Sequence, residues 1–241
     1  MSVYEVKKLD GLLSGNPYPG RGIVIGQSLD GRKMAVVYFI MGRSANSRNR
    51  IFVKTEDGIR TQAQDPSKME DPSLIIYHPV RLVSGDLIVT NGDQTDTIRD
   101  ALLVGGSFED ALMTRAFEPD APNLTPRISG LVAPDGSYKL SILKSADADG
   151  SACIRHFFCY PPIPGVGHFL HTYQGDGNPL PTFMGEPKRV EILNDIEAFA
   201  KGIWESLRPE NKISLYVRYT DLAHGEVEEI LINQYGEETE Q

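Results

Sequence analysis

The chain has 241 residues, 40% of them hydrophobic and 24% charged, with a formal net charge of -9. That size and balance suit a globular chain with a sizeable core, and the acidic charge excludes bulk electrostatic binding to nucleic acid. No apolar run is long enough to span a bilayer.

The N-terminal segment Met1 to Leu13 has neither the apolar stretch nor the small-residue cleavage site of a secretory signal. A cytoplasmic location is therefore expected, with Cys153 and Cys159 as reduced thiols. The first half reads as strands. Gly22 to Leu29 and Met34 to Met41 flank Asp30-Gly31, a hairpin signal. Arg50 to Thr55 and Gly58 to Ala63 flank Asp57-Gly58 in the same way. Leu74 to Val83 and Leu87 to Thr90 follow, with Pro79 marking an edge or a bulge.

The period then changes. Ile98, Leu102 and Leu103 fall at helical spacing and stop at Gly105-Gly106. Ser107 and Asp110 have the spacing of a capping box and open a second helix. Strands return over Arg127 to Ala133, Tyr138 to Lys144, Ala152 to Tyr160 and Val166 to Tyr173. Gly175 to Pro187 is too rich in Gly and Pro to be regular. A helix from about Lys188 to Leu207 carries an apolar face that includes Ile192, Ile196, Phe199 and Ile203. Two strands, Ile213 to Thr220 and Glu226 to Tyr235, close the chain. The pattern predicts a layered α+β domain with mainly antiparallel sheets, as one domain over 1–241.

Three segments carry chemistry. Gly42 to Arg50 packs Arg43, Arg48 and Arg50 among Ser44, Asn46, Ser47 and Asn49. From Gly31 to Thr55 there are six basic residues and no acidic one. In an acidic chain this is either a solvated loop or a local anion site, since arginine forks match phosphate oxygens. Asn91, Asp93, Thr95 and Asp96 lie between a strand and a helix, where they can cap the helix or face a heterocycle or ribose. Glu118 and Asp120 sit in a loop stiffened by Pro119, Pro122 and Pro126, a setting that fixes a carboxylate. Metal binding is disfavoured. Cys153 and Cys159 share a strand face that His156 does not, and His168 and His171 point to opposite faces.

Five segments in order, Tyr18 to Gly26, Tyr38 to Arg50, Ile75 to Val83, Ile88 to Asp96 and Glu118 to Gly130, resemble the archaeal-type IMP cyclohydrolase family. Gly175 to Pro187 has no match in that pattern. The resemblance implies an Ntn-hydrolase-like fold, a four-layer αββα sandwich used without an N-terminal nucleophile. Ser2 precedes the first core strand, which agrees. The implied reaction closes the purine ring of 5-formamido-imidazole-4-carboxamide ribonucleotide (FAICAR) to IMP with loss of water. By the same resemblance Arg50, Tyr77 and Glu118 are the expected catalytic residues. Arg21, Arg43, Ser44, Ser47, Asn49, Asn91, Asp93 and Arg127 are the expected substrate and phosphate ligands. No cofactor or metal is implied, the partner is a small nucleotide, and a homo-oligomer is expected. The rival readings are a non-catalytic purine-nucleotide-binding protein and a different amide or nucleotide hydrolase on the same fold.

Overall fold

The computed structural model describes residues 4–69 and 76–235. One antiparallel sheet contains β1 (Arg21–Gln27), β2 (Lys33–Met41), β10 (Val166–His171), β11 (Lys188–Glu191), β12 (Lys212–Asp221) and β13 (Val227–Asn233). Their order is β11-β10-β1-β2-β12-β13. The second holds β3 (Ile51–Thr55), β4 (Gly58–Gln62), β5 (Val80–Val83), β6 (Asp86–Thr90), β7 (Arg127–Val132), β8 (Tyr138–Ser145) and β9 (Cys153–Tyr160), side by side in chain order. Helices α1 (Leu9–Gly15) and α5 (Ile196–Ser206) cover the first sheet, and α3 (Gln94–Leu103) and α4 (Phe108–Met113) cover the second. A single turn, α2 (Ala45–Arg48), lies between β2 and β3.

Three apolar cores give the four layers. Strand β2 shows why. Ala35, Val37, Phe39 and Met41 pack with Leu13, Phe199 and Ile203 on the helix side. Met34, Val36, Tyr38 and Ile40 pack against Phe52, Val80 and Val89 of the other sheet. Successive side chains of a strand point to opposite faces, so a strand covered on both faces reads as one apolar run. The third core joins Ile88, Leu131 and Leu143 to Ile98, Phe108 and Leu112 under α3 and α4.

Both sheets turn the same end toward the arginine-rich loop. Arg21 begins β1, Arg50 directly precedes β3, and Arg127 begins β7. Tyr77 leads into β5 and Asn91 follows β6. The loops at this end carry the expected site residues.

The expected strands appear within a few residues, with three differences. Lys188 does not begin a helix. Lys188–Glu191 is strand β11, pairing with β10 through Val190 opposite Gly167. The helix starts at Ile196, where the Asp195 carboxylate accepts from the Ala198 N–H at 2.9 Å. That cap fixes the start, while Val190 and Ile192 join the core as parts of an extended segment. Strand β5 begins only at Val80, just after Pro79, which cannot donate to a ladder. Leu74 and Ile75 of the expected strand lie outside the described residues. Helix α1 is an addition, anchored by buried Leu9 and Leu13 one turn apart. Among the described residues no helix is long and apolar enough to cross a membrane.

Candidate active site

The arginine-rich loop is built to deliver one of its arginines inward. Ser44 caps α2, accepting from the Ser47 N–H at 3.1 Å, and the Ser47 hydroxyl accepts from the Ser44 N–H at 3.1 Å. The two serines form a closed capping box. Gly42 is needed beside it, because a Cβ there would lie 2.4 Å from the Ser47 hydroxyl oxygen. Asn49 clamps the chain to Asp65, donating to its carbonyl at 2.8 Å and accepting its N–H at 2.7 Å. Arg48 donates to the Gly42 carbonyl at 3.1 Å and to Asn211 at 3.2 Å. These side chains hold the loop in shape.

Arg50 is the residue so presented. It is 0% exposed, and its Nε donates to the Ser47 carbonyl at 2.8 Å. Both terminal guanidinium nitrogens are buried and have no hydrogen-bond partner among the described residues. The Nε of Arg21 on β1 is in the same condition. Burial, and then the nearby Arg21 cation, hold the Arg50 guanidinium below its ordinary value. For Arg21 burial acts in the same direction, but Glu118 and the phenols of Tyr173, Tyr18 and Tyr77 outweigh it and raise its pKa. Two cations with unused donors point to an anionic ligand, because buried donors are nearly always paired.

Tyr77 is 5% exposed, and its backbone is clasped to Thr61 by N–H to Oγ1 at 2.9 Å and Thr61 N–H to the Tyr77 carbonyl at 2.8 Å. Its hydroxyl lies 2.8 Å from that of Tyr38. Burial raises the Tyr77 phenol above its ordinary value, opposed by Arg50 and Arg21. Glu118 is 3% exposed. Its N–H donates to the Thr125 carbonyl at 2.9 Å, and the Asp120 carboxylate in turn accepts the Thr125 N–H at 2.7 Å. The Thr125 hydroxyl pairs with the Tyr173 hydroxyl at 2.5 Å. Burial pushes the Glu118 carboxyl up, against the pull of Arg21, Arg127 and Arg50. Arg21, Arg50, Tyr77 and Glu118 thus form one electrostatic cluster, each perturbed by at least two of the others.

The other expected ligands are placed differently. Asn91 donates to the Pro126 carbonyl at 2.9 Å and accepts from the Ile128 N–H at 2.9 Å and from Gln94 at 3.0 Å. It ties β6 to β7 and is occupied by the fold. Asp93 accepts from Arg115 at 2.6 Å and from Arg127 at 2.7 Å. Burial would raise its pKa, but Arg115 and Arg127 together hold it low. Arg127 also donates to Gln94 at 2.7 Å. Asp96 pairs with Arg81 at 2.8 Å, away from the cluster. Arg43 lies over the Tyr18 ring, 5.2 Å from its centroid, and donates to Asp176 at 2.5 Å and to the Gly177 carbonyl at 2.9 Å. The phosphate role expected of Ser44, Ser47 and Asn49 therefore meets side chains already engaged with backbone, and that of Arg43 meets a cation already paired. The base contact expected of Asn91 and Asp93 meets groups committed to their neighbours.

Sequence reasoning missed Tyr38, Tyr18 and Tyr173. Tyr38 was hidden in an apolar strand run, and its signal is its place on the inner face of β2 beside the cluster. Tyr173 follows β10 and stacks on Tyr18 at 6.0 Å between ring centroids. Asp176 and Leu180 lie in the segment Gly175 to Pro187, which the resemblance left without a match. It reaches both site loops, through Arg43 and through Asn123, whose side chain accepts the Leu180 N–H at 3.1 Å. Among the described residues no three His, Cys, Asp or Glu side chains converge as a metal site would require.

The family model described as IMP cyclohydrolase-like protein matches residues 18–225, and Gly175 to Pro187 falls inside that match. A Methanopyrus kandleri protein titled IMP cyclohydrolase is 35% identical over 147 residues, covering 55% of this chain and 72% of the relative. A Methanococcus aeolicus protein of the same title is 28% identical over 161 residues, 65% of this chain and 74% of the relative. One from Halobacterium salinarum is 29% identical over 135 residues, 54% of this chain and 64% of the relative. The matched residues include every strand of the site and both of its loops, and the chain belongs to the IMP cyclohydrolase-like protein family.

Proposed function

We propose that this chain is an IMP cyclohydrolase, closing the ring of FAICAR to IMP. The observation that carries the reading is Arg50: buried, cationic, with both terminal nitrogens unpartnered among the described residues, in the electrostatic reach of Tyr77 and Glu118. The family and its relatives' titles supply the substrate class. The unit is read as one domain over 1–241, since one sheet combines β1 and β2 with β10 to β13.

The chemistry sets three demands. The carboxamide nitrogen is a poor nucleophile and must be held against the formyl carbon, so much of the barrier is orientation. As the N–C bond forms, the formyl C=O becomes a C–O single bond and its oxygen gains negative charge. That oxygen then leaves as water, taking up two protons, one lost by the carboxamide nitrogen and one by the formamido N–H as the ring C=N bond forms. Glu118 is assigned to accept the proton from the carboxamide. Its raised pKa brings it nearer the working pH, which favours a base that must later return the proton. Tyr77 is assigned to donate to the formyl oxygen. Arg50 and Arg21 supply positive charge where the oxyanion develops, in a site with little water to screen it. Arg127, held by Asp93 and Gln94, adds positive charge that favours the Glu118 carboxylate. Arg43, exposed and lying over the Tyr18 ring, is the remaining candidate for the phosphate.

Absorbance-monitored conversion of FAICAR by purified protein tests this. Turnover in the wild type that is lost in Arg50→Ala supports the assignment. An inactive wild type that binds IMP would favour a nucleotide-binding protein instead.

A further inference from the structure

We propose that Tyr38 is a positioning residue for the ring closure: it donates its phenol proton to the Tyr77 oxygen and so directs the Tyr77 proton to the substrate. This rests on the cyclohydrolase reading above.

Tyr38 lies in the middle of β2 with its side chain between the two sheets, 0% exposed and stacked on Phe52 at 5.6 Å. Packing alone asks for no hydroxyl there. Its neighbours in that core include Val36, Ile40 and Phe52, and phenylalanine would fill the same space. A buried hydroxyl costs free energy unless it is hydrogen-bonded. The Tyr38 hydroxyl is satisfied by the Tyr77 hydroxyl at 2.8 Å.

Which phenol donates decides what Tyr77 can do. The groups facing Tyr38 are Tyr77, Arg21 from β1 and Arg50 at the head of β3. Guanidinium groups donate and never accept. Among the described residues the Tyr77 oxygen is therefore the acceptor open to the Tyr38 proton. Tyr77 has wider company: Arg50, Arg21, Tyr38 and, from the loop before β7, the Glu118 carboxylate. With its oxygen already accepting, Tyr77 keeps its own proton for a substrate bound at the cluster. During ring closure that proton goes to the formyl oxygen, and the charge left on the Tyr77 oxygen is stabilised by the hydrogen bond from Tyr38. Hydrogen bonds in such a chain strengthen one another. Tyr38 keeps its proton throughout. The proton Tyr77 gives up is restored from the one that Glu118 takes from the carboxamide nitrogen, and the second proton of the departing water comes from the formamido N–H as the ring C=N bond forms.

The test is Tyr38→Phe, which keeps the ring and its stacking. Turnover of FAICAR should fall about ten- to hundredfold in kcat, the size of one hydrogen bond to a charge-bearing group, with KM changed by less than about threefold. Removing a donor from the Tyr77 oxygen disfavours its phenolate, so the alkaline limb of the kcat profile should move to higher pH. A packing role would instead lower the melting temperature and leave that limb in place. NMR of Cζ-labelled tyrosine adds a readout that needs no substrate, with the Tyr77 signal assigned by its loss in Tyr77→Phe. Its alkaline titration should move up in Tyr38→Phe. A downward move or no move, or an unchanged kcat, would overturn the assignment. An inactive wild type would overturn the cyclohydrolase reading and Tyr38's part in that reaction, and the titration would still decide the direction of the hydrogen bond.

Discussion

Arg50 donates its Nε to the carbonyl of Ser47 at 2.8 Å, three residues back, and its two buried terminal nitrogens have no hydrogen-bond partner among the described residues. The Ser44–Ser47 capping box keeps that carbonyl in place. The fold therefore holds a cation in a buried position and leaves its partner to come from outside.

Arg50→Met should raise thermal stability while abolishing turnover. Removing an uncompensated buried charge in favour of an apolar side chain is commonly stabilising, by about 1–3 kcal/mol. Calorimetric unfolding of both proteins checks it. A less stable, inactive Arg50→Met would mean that the guanidinium has partners in the folded chain.

The same reasoning predicts that IMP stabilises the wild type. A ligand at about a hundred times its Kd adds about 2.7 kcal/mol. The shift in melting temperature should be present in the wild type and nearly absent in Arg50→Ala. Equal shifts in the two proteins would place the nucleotide elsewhere.

Glu118 gives a pH dependence with a definite sign. Its folded pKa is raised above the ordinary 4.5, chiefly by burial. A group raised in the folded state stabilises below its unfolded pKa, and that contribution is lost as pH rises through its folded pKa. Stability should thus decline with pH across that window, and Glu118→Gln should flatten the decline. At neutral pH the Glu118→Gln protein should melt higher than the wild type and show no turnover. Melting curves through the mildly acidic range check the slope. A wild-type slope unchanged by the substitution would contradict the buried, raised carboxyl.

Asp176 and Arg43 form an exposed pair, 2.5 Å apart, joining the Gly175 to Pro187 loop to the arginine-rich one. Exposed pairs are worth at most about 1 kcal/mol, so Asp176→Asn should change stability little. It should free Arg43 for the substrate phosphate and lower KM by about two- to fivefold, with kcat unchanged. A raised KM would show that Asp176 positions Arg43 for the ligand and does not compete with it.

Much of this was legible in the sequence, and the parts that were not have physical causes. The hairpins stood out because Asp30-Gly31 and Asp57-Gly58 interrupt apolar runs, and both join paired strands. Arg50 could be singled out only by resemblance. Nothing local distinguishes it from Arg43 or Arg48, whose destinations depend on Asp176 and Asn211, far along the chain. The serines and Asn49 look like phosphate ligands because the groups that bind phosphate also cap helices and clasp loops. Lys188–Glu191 was absorbed into a helix because Ile192 and Ile196 fall at helical spacing. Pairing with β10 and the cap at Asp195 decided otherwise. Tyr38 was concealed because both faces of β2 are buried, which erases the alternation that would set it apart.

The central claim is that the buried cluster of Arg50, Tyr77 and Glu118 closes the purine ring. Its most direct test is the rate of IMP formation from FAICAR in wild type, Tyr77→Phe and Glu118→Gln. The account predicts turnover in the wild type and a loss of about a hundredfold or more in each variant, with all three proteins folded. Wild-type turnover that survives both substitutions would contradict it.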